Sequence, residues 1–381
     1  MQYTEYELGE LLPFEQPTAY IVKSTDYCDA YATPVLTAGK SFILGKTNET
    51  DGIFDQLPVI IFDDFTTATQ FVNFRFKVKS SAMKILHINT DLVIPKYIFY
   101  RLQIIQFDHS THKRYWIQSY SKIKVLIPPL DEQFRIVARI EELFSELDKA
   151  VDTLKTTKEQ LEVYRQAVMK DAFQEKESII RLGDAIEKPR YGTSKKCDYP
   201  CTANSTAVLR IPNIDTKNGR VDSSDLKYAE FNEKELEQLS LKNGDILIIR
   251  SNGSISLVGS SAIIRKCDTD KTYAGYLMRL RILNKEKLLP QYLLYYLSSP
   301  DARRYIESVA KSTSGVNNIN SQEISKLCVP LSSIEKQEKT VAEIEMKLSV
   351  YHEIEKSVDT VLVQADAMRQ SILKQAFEGA L

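Results

Sequence analysis

The feature that most constrains this chain is a repeat. Arg165-Gln166-Ala167-Val168-Met169-Lys170-Asp171-Ala172-Phe173 and Arg369-Gln370-Ser371-Ile372-Leu373-Lys374-Gln375-Ala376-Phe377 both read R-Q-x-[VI]-[ML]-K-x-A-F, 204 positions apart. The same offset carries Gln133 onto Gln337, Val137-Ala138 onto Val341-Ala342 and Ile140-Glu141 onto Ile344-Glu345, with no gap across more than forty positions. A duplicated unit must fold twice from one plan, so the repeat limits the architectures open to the chain.

Upstream the copies continue with smaller offsets, as insertions in the second copy would produce. Pro129-Leu130 is matched to Pro330-Leu331, and Ile94 to Leu102 to Leu289 to Leu297. Met83 is matched to Met278, Val59 to Phe62 to Ile246 to Ile249, and Leu8-Gly9-Glu10 to Leu182-Gly183-Asp184.

Each copy ends in a long helical segment. Ile136, Ile140, Leu143, Leu147, Ala150, Leu154, Thr157, Leu161, Tyr164 and Val168 alternate steps of four and three, an a/d heptad seam. No Gly or Pro falls between Asp131 and Glu175, and such a helix is about 65 Å long at the usual rise per residue. The second segment repeats the seam at Ile344, Tyr351, Ile354, Val358, Val361, Ala365, Met368 and Ile372, with Lys347 breaking it beside Leu348. A narrow apolar stripe on so long a helix needs another helix. An antiparallel pair within one chain, with the two heads at opposite ends, is the reading preferred here; pairing between chains is the alternative.

Residues 1–129 and 175–330 show short β-rich runs and turn signals, with one compact helix in each at Tyr97–Leu102 and Tyr292–Leu297. The copies share their apolar scaffold but differ just past the strands: Thr37 is matched to Arg210, and Asp63 to Arg250. A shared core with divergent loops is what two readers of different ligands would show. Net charge is 0 over residues 1–129, −3 over 130–174, +5 over 175–330 and −3 over 331–381. This excludes a uniformly basic binder but leaves positive charge outside the acidic helices.

The loops carry groups suited to nucleic acid: Arg, Asn, Ser and Thr for base edges, Lys for phosphates. In the first head these are Thr37, Lys40, Lys46, Asn48, Asp63, Asp64, Thr66, Thr67, Lys79, Ser80, Lys113 and Arg114. In the second they are Tyr191, Thr193, Ser194, Lys195, Arg210, Asn213, Arg250, Ser251, Asn252, Ser314, Asn317 and Asn318. For any one of them taken singly, an ordinary solvated turn is the simpler reading.

Signals for chemistry are missing. Ala38-Gly39-Lys40-Ser41 would need a glycine at position 34 to close a phosphate-binding loop, and Pro34 stands there. Ile127-Pro128-Pro129-Leu130 lacks the polar side chain with which an adenine methyltransferase holds its flipped base. Asp63-Asp64 has no metal-nuclease partner at short range. Cys197-x-x-x-Cys201 has no second ligand pair nearby, and His109-x-x-His112 lies far off, so no metal is expected. Five scattered cysteines argue against a disulfide framework. Met1 to Leu12, with Glu5, Glu7 and Glu10, is not a secretory signal, and no apolar run reaches membrane length; a cytoplasmic protein without a membrane role is expected.

A variable head, a P-P-L or P-L junction, a helix start at Glu132-Gln133 and Lys336-Gln337, and a long helix ending R-Q-x-x-x-K-x-A-F all occur twice. This pattern resembles the specificity subunit (HsdS) of type I restriction-modification systems over essentially the whole chain. Tyr191-Gly192-Thr193-Ser194 and Thr313 to Asn317 add to the resemblance. So do Glu15 to Thr18, Pro34 to Lys40 and Phe62 to Thr67, which look like one recurrent recognition domain.

The resemblance implies an α+β fold: two globular mixed α/β target-recognition domains (1–129 and 175–330) joined by two long antiparallel coiled-coil helices (130–174 and 331–381) in an internal pseudo-two-fold repeat. It implies that each head binds half of a split target in double-stranded DNA. The helices would set the spacer and dock two methyltransferase (HsdM) subunits. No cofactor is expected in this chain; S-adenosylmethionine would sit on those partners, and a translocase-nuclease (HsdR) subunit would join for restriction. The chain itself would be non-catalytic. A coiled-coil adaptor for proteins and a self-contained methyltransferase or nuclease remain the rival readings.

Overall fold

The computed structural model describes residues 3–37, 41–108, 114–199, 205–313 and 315–379. The chain divides into two compact units, Met1–Lys155 with Asp359–Leu381, and Thr156–Val358. Each unit therefore holds one head together with a stretch of both long helices, Leu130–Asp171 and Ile334–Glu378.

In the first head a four-stranded sheet runs in the order Phe14–Glu15, Met83–Leu86, Val59–Asp63, Thr69–Val72. The second head repeats that order with Arg190–Tyr191, Leu277–Leu280, Ile246–Ile249 and Ser261–Ile263. Both central strands are apolar on every residue but Asp63, as a strand covered on both faces must be. One face packs under the compact helix, Pro95–Leu102 or Pro290–Leu297. The other packs on a small sheet containing a parallel pair, Val35 opposite Lys77 in one head and Val208 opposite Thr272 in the other. Each such fully buried aliphatic side chain contributes roughly 1.5–3 kcal/mol. An antiparallel ribbon closes each head, Thr4–Glu7 on Lys124–Ile127 and Ser178–Arg181 on Cys328–Leu331.

Strand register corrects four of the sequence matches. Ile60 opposes Leu86 in the first head, and Ile246 opposes Leu280 in the second. Ile60 and Phe62 face the compact helix, as do Ile246 and Ile248, whereas Leu247 and Ile249 face away. Ile60 thus corresponds to Ile246, not Leu247. A slip of one residue reverses every side chain, and an all-apolar strand carries no alternation to reveal it. Arg250 then corresponds to Asp64 rather than Asp63: each donates its amide to the partner loop (Ala82, Tyr276) and accepts at its carbonyl from Tyr115 or Ile319. By the same register Met83 corresponds to Leu277, not Met278. Likewise Pro330-Leu331 lies in the closing strand, where it matches Leu126-Ile127, and not at the helix start with Pro129-Leu130.

The helix segments in each unit run antiparallel. In the first unit Arg369 pairs with Asp148, and Leu373 and Ala376 join the core beside Ile140 and Ile136. In the second the Tyr351 hydroxyl donates to Glu162 at 2.6 Å, while Ile344 and Leu348 meet Met169. The seam of the second helix is not the one expected. Leu348 and Glu355 are buried, whereas Ile354, Val361 and Met368 are exposed. The two stripes share Ile344, Tyr351, Val358 and Ala365, and the partner helix covers the flank carrying Leu348. Along the first helix, Ala150 and Tyr164 of the expected seam are exposed.

Two repeated features lock helices to heads. Gln133 is wholly buried; its Oε1 accepts from the Ile94 amide (2.8 Å) and its Nε2 donates to the carbonyls of Leu92 and Pro128. Gln337 does the same with Leu289 (3.0 Å), Lys287 and Ser332. The K-x-A-F ends are exchanged. Phe173, from the first copy, packs edge-on against Tyr292 of the second head at 5.1 Å; Phe377, from the second copy, packs against Tyr97 of the first head at 5.2 Å.

Candidate nucleic-acid interface

The second head contains a cleft of about 810 Å³ at the ends of the central strands, and the sequence-selected Tyr191, Thr193, Ser194, Lys195, Arg210, Arg250 and Ser251 all line it. Its wall is built from close backbone contacts. A side chain at Gly192 would place its Cβ 2.2 Å from the Tyr273 carbonyl oxygen, so the Tyr191–Ser194 turn can pass there only on glycine.

Arg250 leaves the central strand and enters this cleft. Its guanidinium carbon lies 4.4 Å from the centre of the Tyr191 ring, and its Nη1 donates to the Gly275 carbonyl at 3.2 Å. The Tyr191 hydroxyl in turn accepts from the Ser321 amide at 2.8 Å. The other cations are held differently. Arg210 Nη2 pairs with the Asp225 carboxylate at 3.0 Å, and Lys195 with Glu235 at 2.7 Å. The Tyr199 hydroxyl and Arg210 hold the Asp225 carboxyl below the usual range, and Lys195 does the same for Glu235.

The remaining sequence-selected residues fall into four groups. Asn48, Thr66, Lys79, Ser80 and Arg114 are exposed on the first head, with Thr37, Lys46 and Thr67 half-buried. Asp63, Asp64 and Asn213 are buried and spend their polar atoms internally. Asp63 accepts from the amides of Phe65 and Thr66, shaping a turn in which Thr67 takes a φ of 57°. Asp64 accepts from the Trp116 amide and pairs with the buried Lys84 at 3.3 Å. Asn213 accepts from the Arg210 amide and donates to the carbonyls of Asp222 and Asp225. Asn252 and Asn317 shape a turn beside the cleft, through the Ser254 amide and the Gly253 carbonyl, and Asn318 pairs across strands with Ser251. Lys40, Lys113 and Ser314 lie outside the described residues, as do His109, His112 and Cys201.

Sequence reasoning missed Lys227 and the exposed Tyr276, which also line the cleft. Lys227 sits in a strand rather than a loop, and Tyr276 follows Gly275, whose glycine was the available signal.

Fold and cleft together define a duplicated recognition protein: two heads on one scaffold, each clamped by antiparallel helix segments, with a cationic and aromatic cleft in the second. No protein-family model matches the chain. It is 34% identical over 360 residues to the type I restriction enzyme EcoR124I/EcoR124II specificity subunit of Escherichia coli, covering 88% of this chain and 84% of that one. It is 29% identical over 278 residues to the EcoKI specificity subunit of Escherichia coli K12, covering 69% and 59%. Among solved structures, one from a study of complex assembly and conformational transition in the type I R-M system superposes with a TM-score of 0.71 at 17% identity, covering 100% and 98%. The HsdS subunit of Thermoanaerobacter tengcongensis superposes at 0.53 and 16%, covering 100% and 97%. These two likenesses show the fold. The chain belongs to the type I restriction enzyme specificity subunits.

Proposed function

We propose that this chain is the non-catalytic DNA-recognition subunit of a type I restriction-modification complex, acting in the cytoplasm. Each head binds one half of a bipartite target in double-stranded DNA, and the paired helices set the spacer. The observation that carries this reading is the duplicated head-and-helix plan with divergent chemistry past equivalent strands: Arg250 enters a cleft in one head, while Asp64 is sealed in an ion pair in the other. Two heads on one scaffold suit a split target whose halves differ.

In the second head the cleft residues Tyr191, Thr193, Ser194, Lys195, Arg210, Arg250 and Ser251 face the DNA. In the first head the exposed Asn48, Thr66, Lys79, Ser80 and Arg114 do so. The helices dock two methyltransferase subunits. Ile354 in one unit and Val361 and Met368 in the other leave apolar surface uncovered for them. Those subunits supply S-adenosylmethionine and the methyl transfer, and a translocase-nuclease subunit joins for restriction.

The test is to express the chain with its methyltransferase partners in a host lacking adenine methylation and map methylated adenines. A bipartite motif with a fixed spacer is expected. Binding of the complex to that motif should weaken steeply from 50 to 200 mM salt, as phosphate contacts require. Absence of any methylated motif together with salt-independent binding would overturn the reading.

A further inference from the structure

The second head holds one arginine in a geometry that a phosphate contact does not need. We propose that Arg250 reads a guanine in the major groove, and that this single side chain sets the base preference at one position of one half-site. The inference rests on the DNA-recognition function proposed above.

Arg250 is fixed at three points. Its backbone continues the central strand, its guanidinium is stacked on Tyr191 at 4.4 Å, and Nη1 is tied to the Gly275 carbonyl. Tyr191 is itself held by the Ser321 amide. The orientation of the fork is therefore set before any ligand arrives, and little rotamer freedom is left to lose on binding. Among the described residues Arg250 is held by the Tyr191 ring and the Gly275 carbonyl with no acidic partner, and Nε is buried without an acceptor. One Nη1 proton and both Nη2 protons are left without an acceptor among the described residues, so the planar group can offer one N–H from each nitrogen to the cleft. Two parallel donors in one plane match the N7 and O6 acceptors on the major-groove edge of guanine. Phosphates need charge more than orientation, and the more exposed lysines on the same cleft, Lys195 and Lys196, are the better suited to that task even with their solvent-screened pairs to Glu235 and Asp198. At the equivalent place in the first head stands Asp64, 1% exposed, which accepts from the Trp116 amide and is ion-paired with Lys84.

The experiment compares methylation maps of complexes carrying the unaltered chain, Arg250→Gln and Tyr191→Leu. The unaltered complex should show a required G·C pair in one half-site. In Arg250→Gln, discrimination at that pair should fall by about 5- to 100-fold, the range a bidentate arginine–guanine contact carries, with the spacer and other positions kept. Tyr191→Leu should relax the same pair and no other, because it frees the guanidinium without removing it. A phosphate role predicts weaker methylation at every site and a salt slope reduced by about one. That result overturns the proposal, as does an unaltered half-site pair lacking guanine or an unchanged Arg250→Gln map. Thermal melting, and retention of the other positions of the half-site read by the second head, show that a variant has folded. A missing motif together with salt-independent binding of the unaltered complex would instead sink the DNA-recognition function itself, and this assignment with it.

Discussion

Asp64 and Arg250 occupy the same place in the two copies, yet one is sealed inside and the other enters a cleft. Removing Asp64 leaves Lys84 charged and buried without its partner. Asp64→Ala is therefore expected to destabilise the first unit by about 3–5 kcal/mol, measured by urea unfolding, rather than to alter which bases are read. The buried glutamines make a paired case. Gln133→Ala strands the Ile94 amide and the carbonyls of Leu92 and Pro128, at about 2–3 kcal/mol, and Gln337→Ala should cost as much in the other unit. Equal losses in the two variants, each confined by hydrogen exchange to its own unit, are the expected result. At this scale the sequence showed that Gln133 and Gln337 correspond, because they sit in a gapless stretch. It could not show that Arg250 corresponds to Asp64, because the strand before it is apolar on both faces.

The long helices were legible as elements: sustained heptads broken once, at Lys347, no Gly or Pro, and a proline stop at Pro128-Pro129. Which flank of the second helix is covered was not legible. Ile354, Val361 and Met368 are better seam residues by composition than Glu355 and Arg369, yet the partner segment sits on the other flank. Arg369 there pairs with Asp148 and lies 5.0 Å above the Phe144 ring, and Glu355 accepts from Lys217 at 3.0 Å. Leu348→Ala should therefore cost about 2–5 kcal/mol in thermal or urea unfolding, as cavity formation does. Met368→Ala should change stability by under about 0.5 kcal/mol. If its face docks a methyltransferase subunit, Met368→Asp should nonetheless lower the amount of that subunit that co-purifies. The site was legible in part: the turn at Tyr191–Ser194 and the strand exit at Arg250 were marked by glycine and by charge after an apolar run. Lys227 was not, because it is presented by a strand.

Across the whole molecule the repeat is reciprocal rather than tandem. Each head completes its core with the phenylalanine of the other copy's helix, Phe377 on Tyr97 and Phe173 on Tyr292. Phe377→Ala should lower the stability of the first unit by about 3 kcal/mol and leave the second unit's hydrogen exchange unchanged; Phe173→Ala should do the converse. Loss of both units from either variant would mean that the two cores are not separate.

The exchange of phenylalanines also bears on the order in which a ribosome can finish the protein. The second unit is one continuous stretch, Thr156–Val358, whereas the first needs Asp359–Leu381 as well as the residues that precede it. The head made first is therefore completed last. Its apolar face beside Tyr97 stays open until some two hundred further residues have been synthesised, and the intervening unit can close before it. A nascent chain released after residue 358 should carry a folded second unit and a protease-sensitive first one.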